Sequence, residues 1–275
     1  MSILDVKIVT EFIRMCNDGW EQGWHERNGG NLTYRMKKEE VELCKDYFSY
    51  DSEWVNMGVQ SELLANEFFI TTGSGKYFRN VILAPSENIG IVQINEKGDS
   101  WRIVWGLENG AVPTSEFPSH FMNHAVRVEQ TDGACRVIYH AHPGNLIAMT
   151  YTLPITARDF TRALWQSATE CVVVFPLGVG VVPWMVPGST DIAIATSEVM
   201  KSFDSAVWAQ HGLFCSGNDF DLTFGLMHTI EKAAEIYNLA MSSSGGKILQ
   251  TITDENLVAI ADAFGVQINE EFVDV

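Results

Sequence analysis

The run Arg136-Val-Ile-Tyr-His140-Ala-His142-Pro-Gly constrains this chain most. An apolar stretch of this kind favours a β-strand. Alternate residues of an extended chain point the same way, so His140 and His142 share a face and Ala141 turns away. Pro143 and Gly144 then end the strand. Two imidazoles on one side of a strand end are either half of a metal site or a pair of buried, hydrogen-bonded histidines. The metal reading requires a third ligand, a substrate pocket and a catalytic group from elsewhere in the chain.

With 275 residues the chain is long enough for a substantial core. Charged residues make up 19% and hydrophobic residues 46%, which is globular and not disordered. A net charge of −17 argues against a general nucleic-acid binder and against docking on anionic membranes. An anionic small molecule is still compatible if backbone N–H groups receive it locally. The five cysteines are scattered, odd in number and without a Cys-x-x-Cys pair, as expected of reduced core cysteines in a cytoplasmic protein. The start, Met-Ser-Ile-Leu-Asp-Val-Lys, carries no signal-peptide pattern, and no apolar run is long enough to span a bilayer. No internal repeat or long linker is evident. The expected organisation is therefore a single domain over 1–275, with an irregular, polar surface insertion around 36–66.

Helical spacing predicts an amphipathic helix over about 3–24, carried by Ile8, Phe12, Met15 and Cys16. Asn28-Gly-Gly-Asn31 follows, either a turn before a strand or a loop whose backbone can approach a ligand. Phe68–Thr72 reads as a strand running into Gly73-Ser74-Gly75-Lys76, a good anion nest. It is not a P-loop, which requires Gly where Ile70 stands and Ser or Thr where Tyr77 stands. Residues 89–94 and 101–105 form a predicted hairpin. Thr114 and Ser115 start a helix that places Glu116 in its first turn, and His120 and His124 follow four apart as supporting or packing histidines. Further helices are expected over 145–151, 156–166, 190–203, 219–241 and 254–264, and strands over 170–176 and 205–212.

His211 is the candidate third ligand, at the far end of the apolar run 205–212. Three neutral imidazoles with further positions open describe a catalytic zinc site and not a closed structural one. The cupin pattern fails, because Pro143, Gly144, Asn145, Leu146 and Ile147 follow where a ligating Glu is required. The zinc-protease pattern fails because no Glu follows His120. The dinucleotide fingerprint that Gly178-Val-Gly180 begins is broken by Pro183.

Five ordered motifs now coincide: Asn28-Gly-Gly-Asn31-Leu-Thr, Thr72-Gly-Ser74-Gly-Lys76, Pro113-Thr-Ser115-Glu116, His140-Ala-His142 and His211-Gly212. In this order they resemble the class II aldolase/adducin family over nearly the whole chain. Length, the extra segment before Phe68 and Glu170-Cys-Val-Val-Val-Phe-Pro resemble the members that cleave L-rhamnulose 1-phosphate. The resemblance implies an α/β fold, a three-layer α/β/α sandwich with a mostly antiparallel central sheet, assembled as a homotetramer with four-fold symmetry. It implies one Zn2+ per subunit on His140, His142 and His211. It implies a phosphate pocket of Asn28, Gly30, Asn31, Ser74, Gly75, Thr114 and Ser115, with Lys76 behind that nest. It further implies Glu116 as the group that transfers a proton to the carbanionic carbon, and Glu170 for proton handling at the aldehyde end, across a subunit boundary. The implied partner is a small sugar phosphate, with neither nucleic acid nor membrane. Other members of this fold act on fuculose 1-phosphate or pentulose 5-phosphates. Adducin-like interaction domains of the same fold lack the metal histidines, which this chain retains.

Overall fold

The structure is a computed structural model that describes residues 2–274, so Met1 and Val275 of the expected 1–275 unit lie outside the described residues. The strands are β1 (Asn31–Arg35), β2 (Val55–Asn56), β3 (Phe68–Thr72), β4 (Ile89–Ile94), β5 (Ser100–Gly106), β6 (Val137–Ala141), β7 (Gly180–Val182), β8 (Ser205–Trp208) and β9 (Gly212–Gly217). The helices are α1 (Lys7–Glu21), α2 (Lys38–Cys44), α3 (Phe78–Val81), α4 (Pro85–Asn88), α5 (Phe117–Gln130), α6 (Gly144–Met149), α7 (Ala157–Trp165), α8 (Cys171–Val174), α9 (Thr190–Val199), α10 (Phe220–Ser243) and α11 (Asp254–Phe264).

All nine strands join one sheet in the order β2-β5-β4-β3-β1-β6-β9-β8-β7. Among the described residues only the β7–β8 pair is parallel, so the expected mostly antiparallel sheet is what forms. Side-chain alternation sorts the two faces. Leu32 and Tyr34 of β1, Val137, Tyr139 and Ala141 of β6, and Leu213 and Cys215 of β9 join the core with α1, α6, α7 and α10. Ile138, Ala206, Trp208 and Phe214 face the other way, onto Ile192 of α9. Phe69 and Val92 pack on that side against Phe117 and Phe121 of α5. Two helical layers therefore cover one sheet, as expected of a three-layer α/β/α fold.

The antiparallel register positions the site. β1 begins at the edge where β3 and β6 end and β9 begins, with Asn31 opposite His140 and Ala141 opposite Leu213. Thr71 of β3 pairs with Gly90 and Thr33, and the chain beyond it is tied back by a bridge from Gly73 to Pro113. Loops that are far apart in sequence thus share one end of the four central strands.

Several local expectations are corrected. The segment 170–176 is not a strand. Cys171–Val174 form a single helical turn, with Glu170 as its N-cap residue. The β-branched run does not join the sheet: Cys171, Val172 and Phe175 bury in the helical layer instead, so tertiary context overrides strand preference. The run 205–212 is also not one strand. It breaks after Trp208 into a tight hairpin, and β9, unread in the sequence, follows it. Gln210 adopts φ 55° in that turn, held by Thr150 through its backbone N–H (3.0 Å to Oγ1) and its side-chain amide (2.8 Å to the carbonyl). The first helix does not run over 3–24: a short 3-10 turn (Ile3–Asp5) and an extended Val6 precede α1. The helix after Ser189 stops at Val199, short of 203. Glu116 is the N-cap residue of α5 and stands before its first turn.

Residues 36–66 hold α2, two 3-10 turns and β2, which extends the sheet beyond β5. All five cysteines are unpaired and buried. Among the described residues no helix is long and apolar enough to cross a membrane.

Candidate active site

His140 is buried on the face of β6 that meets Trp208 and Phe214, with ring centroids 4.5 and 6.3 Å away. His142 follows just past the strand end, and its backbone N–H donates to the Trp24 carbonyl at 3.0 Å. His211 stands in the β8–β9 turn, its N–H bonded to the Trp208 carbonyl at 3.0 Å. One ligating nitrogen from each of the three rings lies within 4.8 Å of the others. A Cβ at Gly212 would sit 3.1 Å from both the His140 and His142 rings and press on the Ala141 carbonyl, so the hairpin closes onto the histidines only with glycine there.

The hydrogen bonds fix which nitrogen His140 and His142 leave free. His140 Nδ1 donates to the Leu213 carbonyl at 3.1 Å, and His142 Nδ1 donates to Glu26 Oε1 at 2.7 Å. That leaves His140 Nε2, His142 Nε2 and His211 Nδ1, all buried and without a hydrogen-bond partner. Buried imidazole nitrogens without a partner are costly in a folded protein unless a cation satisfies them. Burial holds the His140 pKa well below its ordinary range and lowers that of His211 to about 4, and the neighbouring imidazoles add to both effects. These two rings are therefore neutral at pH 7, the form a metal requires. The residues present fit a divalent metal with open positions. The carboxylate behind His142 is a frequent orienting partner for ligating imidazoles. Nothing in the spacing of the sequence marked Glu26, because it reaches His142 from a loop 116 residues away.

Glu116 is half-buried beside this cluster. Its Oε2 accepts from Asn31 Nδ2 at 2.8 Å, and burial raises its pKa against the lowering effects of Asn31 and His142. A carboxyl with a raised pKa beside open metal positions is suited to carry a proton to and from carbon.

The expected phosphate residues surround the same edge. Asn28 is exposed in the loop before β1, Ser74 and Gly75 are exposed after β3, and Thr114 and Ser115 precede Glu116. Backbone bonds hold these loops together: Ser74 N–H to the Val112 carbonyl and Thr114 N–H to the Thr72 carbonyl, each 2.9 Å. Gly30, with φ 75°, is walled in by His25 and the His140 carbonyl, so no side chain fits there. His25, which sequence reasoning passed over, holds this loop. Its Nδ1 donates to the Gly29 carbonyl at 2.9 Å, its Nε2 accepts from the Tyr139 hydroxyl at 2.6 Å, and its ring stacks on Phe78 at 3.6 Å. Burial drops its pKa to about 3, which keeps the ring neutral. Asn31 has its carbonyl oxygen turned to His120 and one amide proton turned to Glu116, so it belongs as much to the carboxyl as to the nest.

Glu170 does not join the three histidines in this chain. It is exposed and lines a neighbouring depression with Trp24, Asn145, His228, Glu231 and Glu235.

Known proteins resemble this chain in sequence and in fold. The class II aldolase and adducin N-terminal domain matches residues 10–238. A rhamnulose-1-phosphate aldolase of Listeria innocua is 46% identical over 265 residues, covering 96% of each chain. One of Citrobacter koseri is 48% identical over 258 residues, covering 94% of this chain and 93% of its own. A sugar-phosphate aldolase structure from Thermotoga maritima superposes with a TM-score of 0.72 at 26% identity, over 86% of this chain and 96% of that one. On sequence and fold alike, the chain belongs to the class II aldolase/adducin family.

Proposed function

We propose that this protein is a cytoplasmic, zinc-dependent lyase that reversibly cleaves L-rhamnulose 1-phosphate to dihydroxyacetone phosphate and L-lactaldehyde in rhamnose catabolism. The observation that carries the chemistry is the set of three buried, unpartnered imidazole nitrogens beside a half-buried carboxyl. The identity to rhamnulose-1-phosphate aldolases over nearly the whole chain supports the substrate. The buried, unpaired cysteines support a reducing compartment. The same likeness supports reading 1–275 as one domain with its insertion at 36–66.

The roles of the residues follow. Asn28, Gly30, Asn31, Ser74, Gly75, Thr114 and Ser115 receive the phosphate through neutral donors and backbone N–H groups, which lets a chain of net charge −17 hold a dianion. His140, His142 and His211 would hold the metal. When bound, zinc supplies Lewis-acid stabilisation of the negative charge left as the C3–C4 bond breaks. Glu116 then delivers a proton to the carbanionic carbon, and in the reverse direction it removes that proton. Asn31 keeps the carboxyl oriented in both directions. A cleavage assay on L-rhamnulose 1-phosphate and L-fuculose 1-phosphate, with detection of dihydroxyacetone phosphate, tests the reading. Product from the rhamnulose substrate is expected, and its absence with zinc present overturns the assignment.

We also infer a homotetramer in which Glu170 serves the aldehyde end of a neighbouring protomer's site, since it lies apart from its own histidines. Light scattering should give the mass of four chains. Mixed assemblies of Glu116→Ala with Glu170→Ala should regain activity that neither variant has alone. No recovery on mixing would remove Glu170 from a cross-subunit role.

A further inference from the structure

A chain of polar side chains leads from Glu116 into the protein, beneath β1. Asn31 donates to Glu116 through Nδ2 and is bonded through Oδ1 to His120 Nε2. His120 Nδ1 lies 2.8 Å from Thr33 Oγ1, which lies 2.9 Å from His124 Nε2. Asn31 and Thr33 are alternate residues on one face of β1, and His120 and His124 are one turn apart on the face of α5 that meets it. All four side chains are buried.

Hydrogen-bond chemistry gives this chain a single direction. An amide oxygen only accepts, so His120 Nε2 carries the hydrogen. Burial pushes the His120 pKa down to about 3 and that of His124 well down, with the charges of Arg35 and Arg136 acting further on His124. Both rings are therefore neutral, and His120 Nδ1 must accept. The one hydrogen of Thr33 goes to it, so Thr33 Oγ1 in turn accepts from His124 Nε2–H. The chain ends at His124 Nδ1, a buried lone pair with no partner. The opposite polarity would turn the Asn31 oxygen onto the Glu116 carboxylate, acceptor against acceptor.

We propose that His120, Thr33 and His124 are positioning residues: together they lock the Asn31 amide with its NH2 toward Glu116 and so aim the carboxyl at the reacting carbon. The proposal rests on the reading of Glu116 as the proton-transfer group. It is distinct from a packing role, because only the direction of the hydrogen bonds, and not the volume filled, does the work.

The test uses the zinc-loaded protein with 15N-labelled histidine, its resonances assigned by His120→Gln and His124→Gln. Both rings should be protonated at Nε2, with His120 Nδ1 showing the shift of an accepting nitrogen. A His120 protonated at Nδ1 overturns the proposal, and this needs no activity and no substitution at Thr33. The second arm follows exchange of solvent deuterium into dihydroxyacetone phosphate. Thr33→Val, which keeps shape and removes the hydroxyl, should lower kcat about 10-fold while KM moves less than about 2-fold. Thr33→Ser should restore the native rate. An unchanged kcat in Thr33→Val, or equal losses in the Val and Ser variants, also overturns it. If the native protein exchanges no deuterium, the reading of Glu116 fails while the nitrogen spectrum still decides the direction of the chain.

Discussion

Replacing Glu116 by alanine should leave the metal content at its native value and lower turnover by ~10²–10⁴, or about 3–5 kcal/mol of barrier. The carboxyl makes no hydrogen bond to any of the three histidines, so their nitrogens keep their positions when it is removed. Its loss frees only the Asn31 amide and the proton route to carbon. Glu116→Gln sharpens the test. A glutamine oxygen can still accept from Asn31, so position is kept and proton transfer is lost. If Gln is as poor as Ala, the proton is what matters. Metal analysis together with deuterium exchange into dihydroxyacetone phosphate checks both variants, and exchange within about tenfold of native in either would remove Glu116 from the mechanism.

His211→Ala should abolish both tight metal binding and cleavage. Two imidazoles remain in that variant, one fewer than the three protein ligands usual in catalytic zinc sites. The expected metal content falls from about one ion per chain to under about a tenth of that after dialysis. A second measurement separates binding from folding. A ligand that binds only the native state stabilises it by mass action, so a chelator should lower the native protein's Tm and leave that of His211→Ala unmoved. His211 sits in a turn anchored by Gln210 and Thr150, and its Nδ1 has no partner to lose, so the apo variant should fold. A metal content equal to native would refute the ligand set.

Particular elements account for what could and could not be read in advance. The His140–Ala–His142 spacing was legible as a strand end carrying two nearby rings: His140 lies in β6, His142 stands just past its end, and their ring centroids are 5.1 Å apart. α10 and α11, each opened by a side-chain N-cap from Asp219 or Thr253, were legible because caps and apolar spacing are local signals. The segment 170–176 was misread because its Val-rich composition suits a strand, while its apolar side chains are buried among the helices. The hairpin at 209–211 was hidden because its cause is Thr150, some 60 residues away. His25 and Glu26 carried no signal, and Thr33 stood in the Asn28–Thr33 motif without a role of its own. Each acts by touching a side chain or carbonyl that the fold, and not the spacing, brings to it.

The sequence by itself determined most of the elements, the alternation that sorts their faces and the residue types able to bind a metal, receive an anion or carry a proton, because these depend on local geometry and on intrinsic chemistry. The tertiary structure alone decided that four central strands deliver these groups to one edge. It also decided which nitrogen of His140 and of His142 stays free, and that Glu116 is aimed by a buried chain of hydrogen bonds. Those outcomes depend on register and burial, and both are properties of strands and helices packed together.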